Sequence, residues 1–252
     1  MSLRGPCTAR ADWIHTFPEA GWPRRNRFSI DPKEIMASSY AYDDWDRAEV
    51  LPFVPEARRI LEVGCSYGGF GQLLKSRTTA PEVWGIEPEP KAAEVAASRL
   101  DRVIVGGFPA LAPIGERFDC VVFNDVLEHL VDPWGALRCA LGLLRPNGHV
   151  VASIPNVRFG PVVSALLLRG RWNYTDVGVL DRTHLRFFTR SSMIEMFKEC
   201  GYDVLSVNAI RQIRRGKIAR TAKLFGSRAT EFTAPQFVIV ATTSEPVSVK
   251  TS

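Results

Sequence analysis

The chain has 252 residues, 46% of them hydrophobic and 23% charged, with a net charge of +5. That composition is ordinary for a globular protein and allows one large α/β domain with additions or two small domains. The mild positive charge tolerates acidic partners without implying nucleic acid, and the longest apolar run, Val162–Leu168, is far too short to span a bilayer.

The N-terminal stretch carries Asp12, Pro18, Glu19 and Pro23 and no apolar leader segment, which points to a cytoplasmic protein. The cysteines are scattered and form no CxxC pair, so no metal site is expected. Residues 1–57 read as an N-terminal extension, helical over 28–57 with two proline breaks. From Arg58 the pattern becomes regular. "RRILEV", "EVWGIE", "DRVIVG", "FDCVVFN" and "HVVASIP" are near-continuous apolar runs that read as strands. Helical stretches "FGQLLKSR", "PKAAEVAASRL" and "PWGALRCALGLL" lie between them, the last opened by Asp132 as N-cap and Pro133 at N1. "RPNG" reads as a turn. Continuous apolar strands alternating with helices predict a parallel sheet covered on both faces, a doubly wound α/β fold.

After Asn156 the rhythm breaks. Residues 157–189 read as an insert carrying binding residues rather than a connector. Thr189 is placed to cap the helix "RSSMIEMFKECG", with Gly201 at its end. "YDVLSVNAI" and "QFVIVATT" read as two final strands, and residues 244–252 as a tail. Between those strands, Arg211–Arg228 holds seven Lys/Arg and no acid. It reads as an amphipathic helix on the sheet edge, with peripheral membrane contact left open. It lacks the interleaved aromatics of a nucleic-acid surface.

"ILEVGCSYGGFG" is a strand turning into a helix through a glycine-rich loop, where backbone approaches a nucleotide-like ligand closely. A dinucleotide site wants glycine where Ser66 stands, which disfavours NAD. Glu62 suits a ligand with an ammonium group. Glu87, closing the second strand, is placed to accept from both hydroxyls of a ribose.

Together "ILEVGCSYGGF", "VWGIEPEP", "FDCVVFNDVLEHLVDP" and "LLRPNGHVVASIPN" resemble the class I S-adenosylmethionine-dependent methyltransferases over about residues 58–243. The resemblance implies a Rossmann-like seven-stranded sheet with its last strand antiparallel, and S-adenosylmethionine as cofactor. It implies that Glu62, Gly64, Cys65, Ser66 and Gly68 surround the methionine part, that Glu87 holds the ribose with Pro88 beside the adenine, and that Asn124, Asp125 and Val126 lie near the sulfonium. Where many relatives carry an adenine-binding acid after the third strand, this chain has Gly106, Gly107 and Phe108. Adenine recognition is then expected from backbone there and from Phe108.

Two histidines compete as general base for an acceptor hydroxyl. His129, in "NDVLEHL", either shapes the loop after the fourth strand or takes the proton. His184, in "LDRTHLRFFT", either takes the proton or fixes the insert by pairing with Asp181. That segment resembles one found in methyltransferases of bacterial glycan and secondary-metabolite pathways. The expected acceptor is therefore a small-molecule or glycan hydroxyl, with an N- or nucleic-acid methyltransferase, or a non-catalytic binding module, as alternatives. "NDVLEH" lacks the Pro-Pro-aromatic signature of base-amine methylation. Oligomeric state is not read from the sequence.

Overall fold

The computed structural model describes residues 46–110, 115–222, 224, 226 and 229–243, without the side chains of 217, 218 and 221. The helical reading of residues 28–57 thus lies mostly outside the described residues, as does the tail. Of that stretch, Leu51–Phe53 forms one 3-10 turn.

Seven strands make a single sheet: β1 (Arg59–Val63), β2 (Glu82–Glu87), β3 (Arg102–Val105), β4 (Phe118–Asn124), β5 (Leu144–Pro155), β6 (Tyr202–Ile210) and β7 (Gln236–Thr243). Their spatial order is β3-β2-β1-β4-β5-β7-β6. β1 to β5 run parallel, and β7 is antiparallel to both neighbours. The order reverses between β1 and β4, so the crevice for a ligand opens at the carboxyl ends of those strands.

The inner strands β1, β2, β4 and β7 are buried on both sides because both faces are covered, while the edge strands β3 and β6 are partly exposed. Along β4, Cys120 and Val122 enter one core with Ile60, Phe70, Leu74 and Val151, while Val121 and Phe123 enter the other with Leu61, Leu137 and Phe197. The covering helices are α1 (Gly69–Lys75), α2 (Pro90–Ala97), α3 (Pro133–Leu143) and α5 (Arg190–Glu199), with α4 (Gly160–Arg169) inside the insert. Short helices α6 (Gly216–Ala222) and α7 (Ala229–Thr233) join β6 to β7.

The caps form as their residue types predict. Asp132 accepts from the Gly135 N–H at 2.8 Å, and Thr189 makes a capping box with Ser192 at the start of α5. Gly201, just past α5, sits at φ 87°. "RPNG" is not a separate turn. β5 starts at Leu144, which pairs with Phe118 across an irregularity in register, and Asn147 takes φ 61° within it. The basic stretch is not one helix from Gln212 onward, because Gly216 at φ 91° starts α6 afresh. The insert contains a helix that sequence pattern missed. α4 has no side-chain cap, and it leaves Leu167 and Leu168 75% and 82% exposed.

Candidate active site

The glycine loop begins where β1 ends. Gly64 has φ 70°, and a Cβ there would meet Val126 Cγ2 at 2.7 Å. Only glycine therefore lets the loop after β4 close over the loop after β1. Gly68 caps α1 at φ 81° with its Cα side against Ala96. Cys65 turns its thiol into the core against Gly85, so its part in the loop is played by backbone.

Two carboxylates stand at the mouth of this loop. Glu87 is 2% exposed. It accepts from the Ser66 N–H at 2.7 Å and from the Glu89 N–H at 3.0 Å, which ties the end of β2 to the glycine loop. Glu62 is also 2% exposed. Its Oε2 has no hydrogen-bonding partner among the described residues, nor has either amide atom of Asn124. Burial pushes the Glu62 carboxyl up to about 8, offset in part by the nearby Asn124 amide and the Gly71 N–H, and reinforced by the Glu87 charge. Unpaired buried polar atoms of this kind call for a partner from outside the described residues. A carboxylate beside an amide fits the ammonium and carboxylate ends of an amino acid.

The loop after β4 is held by a residue that sequence reasoning missed. Asp125 adopts φ 54°. Its carboxylate pairs with Arg47 and with the Gln236 amide, and it accepts from Ser153 Oγ at 3.0 Å. Arg47, 7% exposed, also donates to Ser153 Oγ at 3.0 Å. The sequence gives no local sign of Arg47, since it lies in the extension and acquires its meaning only when the chain closes. Phe108 is buried and packs edge-on to Phe123, ring centres 5.8 Å apart, while nothing lies within 4 Å of where a Gly107 side chain would begin.

Glu128, His129 and His184 meet just beyond this loop, one ligand-type atom of each within 4.8 Å of the others. The insert is stitched down there. The Leu185 and Arg186 N–H groups donate to the Glu128 carbonyl at 2.9 and 3.0 Å, and Arg186 reaches the Val131 carbonyl at 2.6 Å. The two imidazoles pack edge to face with centres 4.7 Å apart. His184 does not pair with the Asp181 carboxylate. Its Nδ1 bonds the Val179 carbonyl at 3.1 Å, and Asp181 instead takes the Thr183 hydroxyl at 2.6 Å, which in turn touches His129 Nδ1 at 3.1 Å. Burial first, and then the His184 ring, lowers the His129 pKa, so this ring is held neutral. Phe188 anchors the insert in the core, whereas Phe187 joins Trp172 and Tyr174 in an aromatic group beside His184.

A family profile described as a methyltransferase domain matches residues 36–207. Among curated proteins, the chain is 29% identical over 168 residues to a ubiquinone biosynthesis O-methyltransferase of Cereibacter sphaeroides, covering 64% of this chain and 65% of that protein. The chain thus spans just under two thirds of that relative's length. It is 32% identical over 131 residues to a trans-aconitate 2-methyltransferase of Methylobacterium radiotolerans, covering half of each. Among solved structures, the CcbJ methyltransferase of Streptomyces caelestis superposes with a TM-score of 0.56 at 16% identity, covering 82% of this chain and 97% of that one. With the glycine loop, Glu62 and Glu87 at the crevice, the chain belongs to the class I S-adenosylmethionine-dependent methyltransferases, and S-adenosylmethionine is its cofactor.

Proposed function

We propose that this enzyme methylates a hydroxyl group of a small molecule, aromatic or sugar-like, and that Glu128, His129 and His184 activate the acceptor. The observation that carries this reading is the meeting of these three side chains immediately after the β4 loop. Bound in the crevice, S-adenosylmethionine supplies a methyl group on a positively charged sulfur. Glu62 and Asn124 hold its amino-acid end, Glu87 its ribose, and the backbone around Gly107 its adenine.

A hydroxyl acceptor, unlike a neutral amine, must lose a proton as its oxygen attacks, and a positioned base contributes typically ~10²–10⁴-fold. His184 is the base in this reading, because the bond from its Nδ1 to Val179 leaves Nε2 to receive the proton. Trp172, Tyr174 and Phe187 offer ring faces on which a planar or sugar acceptor stacks. The curated relatives named for O-methylation agree with this choice of atom. The segment Arg211–Arg228 remains a candidate for peripheral contact with an anionic surface; no helix of the described residues is long and apolar enough to cross a membrane.

The test is product identification. The protein is incubated with methyl-labelled S-adenosylmethionine and fractionated small-molecule, glycan and nucleic-acid pools. A labelled methyl ether is expected. Label confined to amines or to nucleic acid contradicts the reading.

A further inference from the structure

The hydrogen bonds around the Glu128 cluster settle where its lone pairs lie. A backbone carbonyl can only accept, so the 3.1 Å contact between His184 Nδ1 and Val179 places the ring proton on Nδ1 and leaves Nε2 bare. The Thr183 hydroxyl gives its hydrogen to the Asp181 carboxylate at 2.6 Å. At 3.1 Å from His129 Nδ1 the same hydroxyl must therefore accept, as the Thr183 carbonyl does at 3.3 Å. In the neutral form that binds a cation, each ring thus carries its lone pair on Nε2.

Glu128 completes the set. It is 1% exposed, and neither carboxylate oxygen has a hydrogen-bonding partner among the described residues. His184 Nε2 stands 4.0 Å from its Oε1, beyond hydrogen-bond reach. Arg47, the cation nearest by charge effect, is engaged with Asp125. A buried carboxylate with no donor, facing a ring lone pair, is costly. A cation placed among the three removes the cost on every side.

We propose that Glu128, His129 and His184 bind one divalent transition-metal ion, zinc foremost, through a carboxylate oxygen and two Nε2 atoms. Two histidines and a glutamate with a further open position form a donor set of catalytic zinc sites. Imidazole nitrogen disfavours magnesium and calcium, which take oxygen ligands. The Nδ1–H bonds to Val179 and to the Thr183–Asp181 pair are the outer contacts that orient metal-binding histidines. Ligands about 2.0–2.1 Å from a tetrahedral ion stand roughly 3.4 Å apart, so the cluster must draw in by up to about 1.4 Å from its 4.8 Å span. The unpartnered Glu128 carboxylate loses no hydrogen bond in moving.

The role of the ion rests on the proposed hydroxyl acceptor; its binding does not. In the open position the ion takes the acceptor oxygen as a ligand, and the hydroxyl proton passes to water at near-neutral pH. His184 then acts as a ligand rather than as the base.

The whole chain, stripped with a chelator, is titrated with Zn²⁺ alone and, in parallel, with Co²⁺ read by its visible absorption. One equivalent is expected to bind, with a cobalt spectrum of low coordination number. His184→Ala and Glu128→Gln should each weaken binding by about 100-fold or more, and Thr183→Val by about 10-fold, with circular dichroism unchanged. Wild-type protein that binds neither ion more tightly than about 10 μM overturns the proposal, as does unaltered binding in folded His184→Ala. Methyl ether formation by metal-free enzyme overturns the ion's role in the reaction and leaves the proposed function standing. Stoichiometric metal without any methyl ether product does the reverse.

Discussion

Arg47 and Asp125 form an ion pair that closes the lead-in segment onto the loop after β4. The pair is braced by Ser153 and Gln236, and Glu49 ties Arg47 at 3.5 Å to Arg211 at 2.6 Å. Arg47→Ala strands the Asp125 carboxylate at φ 54° without its counter-ion. Because Asp125 is partly exposed, the expected cost is about 2 kcal/mol rather than the larger value for a fully buried pair. Arg47→Lys should recover little, since one ammonium cannot reach Asp125 and Ser153 in a fork. Denaturant unfolding and cofactor affinity, measured on both variants, check this.

Glu62 predicts a pH dependence with a defined sign. Its carboxyl sits near 8 in the ligand-free fold against an ordinary 4.5. Between those values the folded chain holds a proton that the unfolded chain has lost. This group's contribution to stability is therefore fully present below about 4.5 and declines as pH rises toward about 8. Pairing with an ammonium group needs the carboxylate, so binding expels a proton below pH 8. S-adenosylhomocysteine affinity should rise between pH 6 and 7 by up to about tenfold. Titration in two buffers of different ionisation heat should show release of close to one proton. Glu62→Gln should abolish that release and weaken binding by about 10- to 100-fold.

Gly64→Ala puts a methyl group 2.7 Å from Val126 Cγ2 at a backbone φ of 70°. Opening of the two loops away from each other is expected, with a larger loss of cofactor affinity than of stability. Gly64→Ala combined with Val126→Ala should recover affinity in part. Equal affinity for the two variants contradicts the contact.

Thr189→Ala removes the capping box of α5. The expected cost is about 1 kcal/mol, a fall in Tm of about 2–4 °C for a domain of this size. Cofactor binding should be unchanged, because α5 covers the sheet away from the glycine loop.

β2 and β4 were legible because a parallel strand buried on both faces leaves an unbroken apolar run, and the antiparallel strands β6 and β7 also start and end as their sequences suggest. The caps at Asp132 and Thr189 were legible because their chemistry is local. α4 was not, because its leucines are exposed and no polar cap announces it. The place of the glycine loop at the end of β1, and of an acid at the end of β2, could be read from the sequence. The joining of Glu128 and His129 to His184 could not, since the insert separates them in sequence and the contact is made by backbone bonds from Leu185 and Arg186. One local sign was present. Asp181 two residues before Thr183 forms a side-chain turn, with the Thr183 N–H donating to Asp181 at 2.8 Å. That turn fixes the hydroxyl which orients His129.

Calorimetric titration of the intact chain with S-adenosylhomocysteine, and separately with NAD, tests the assignment of the crevice to S-adenosylmethionine. Micromolar binding of S-adenosylhomocysteine at one site is expected, with proton release below pH 8, and no heat from NAD. Binding of NAD without S-adenosylhomocysteine would contradict it.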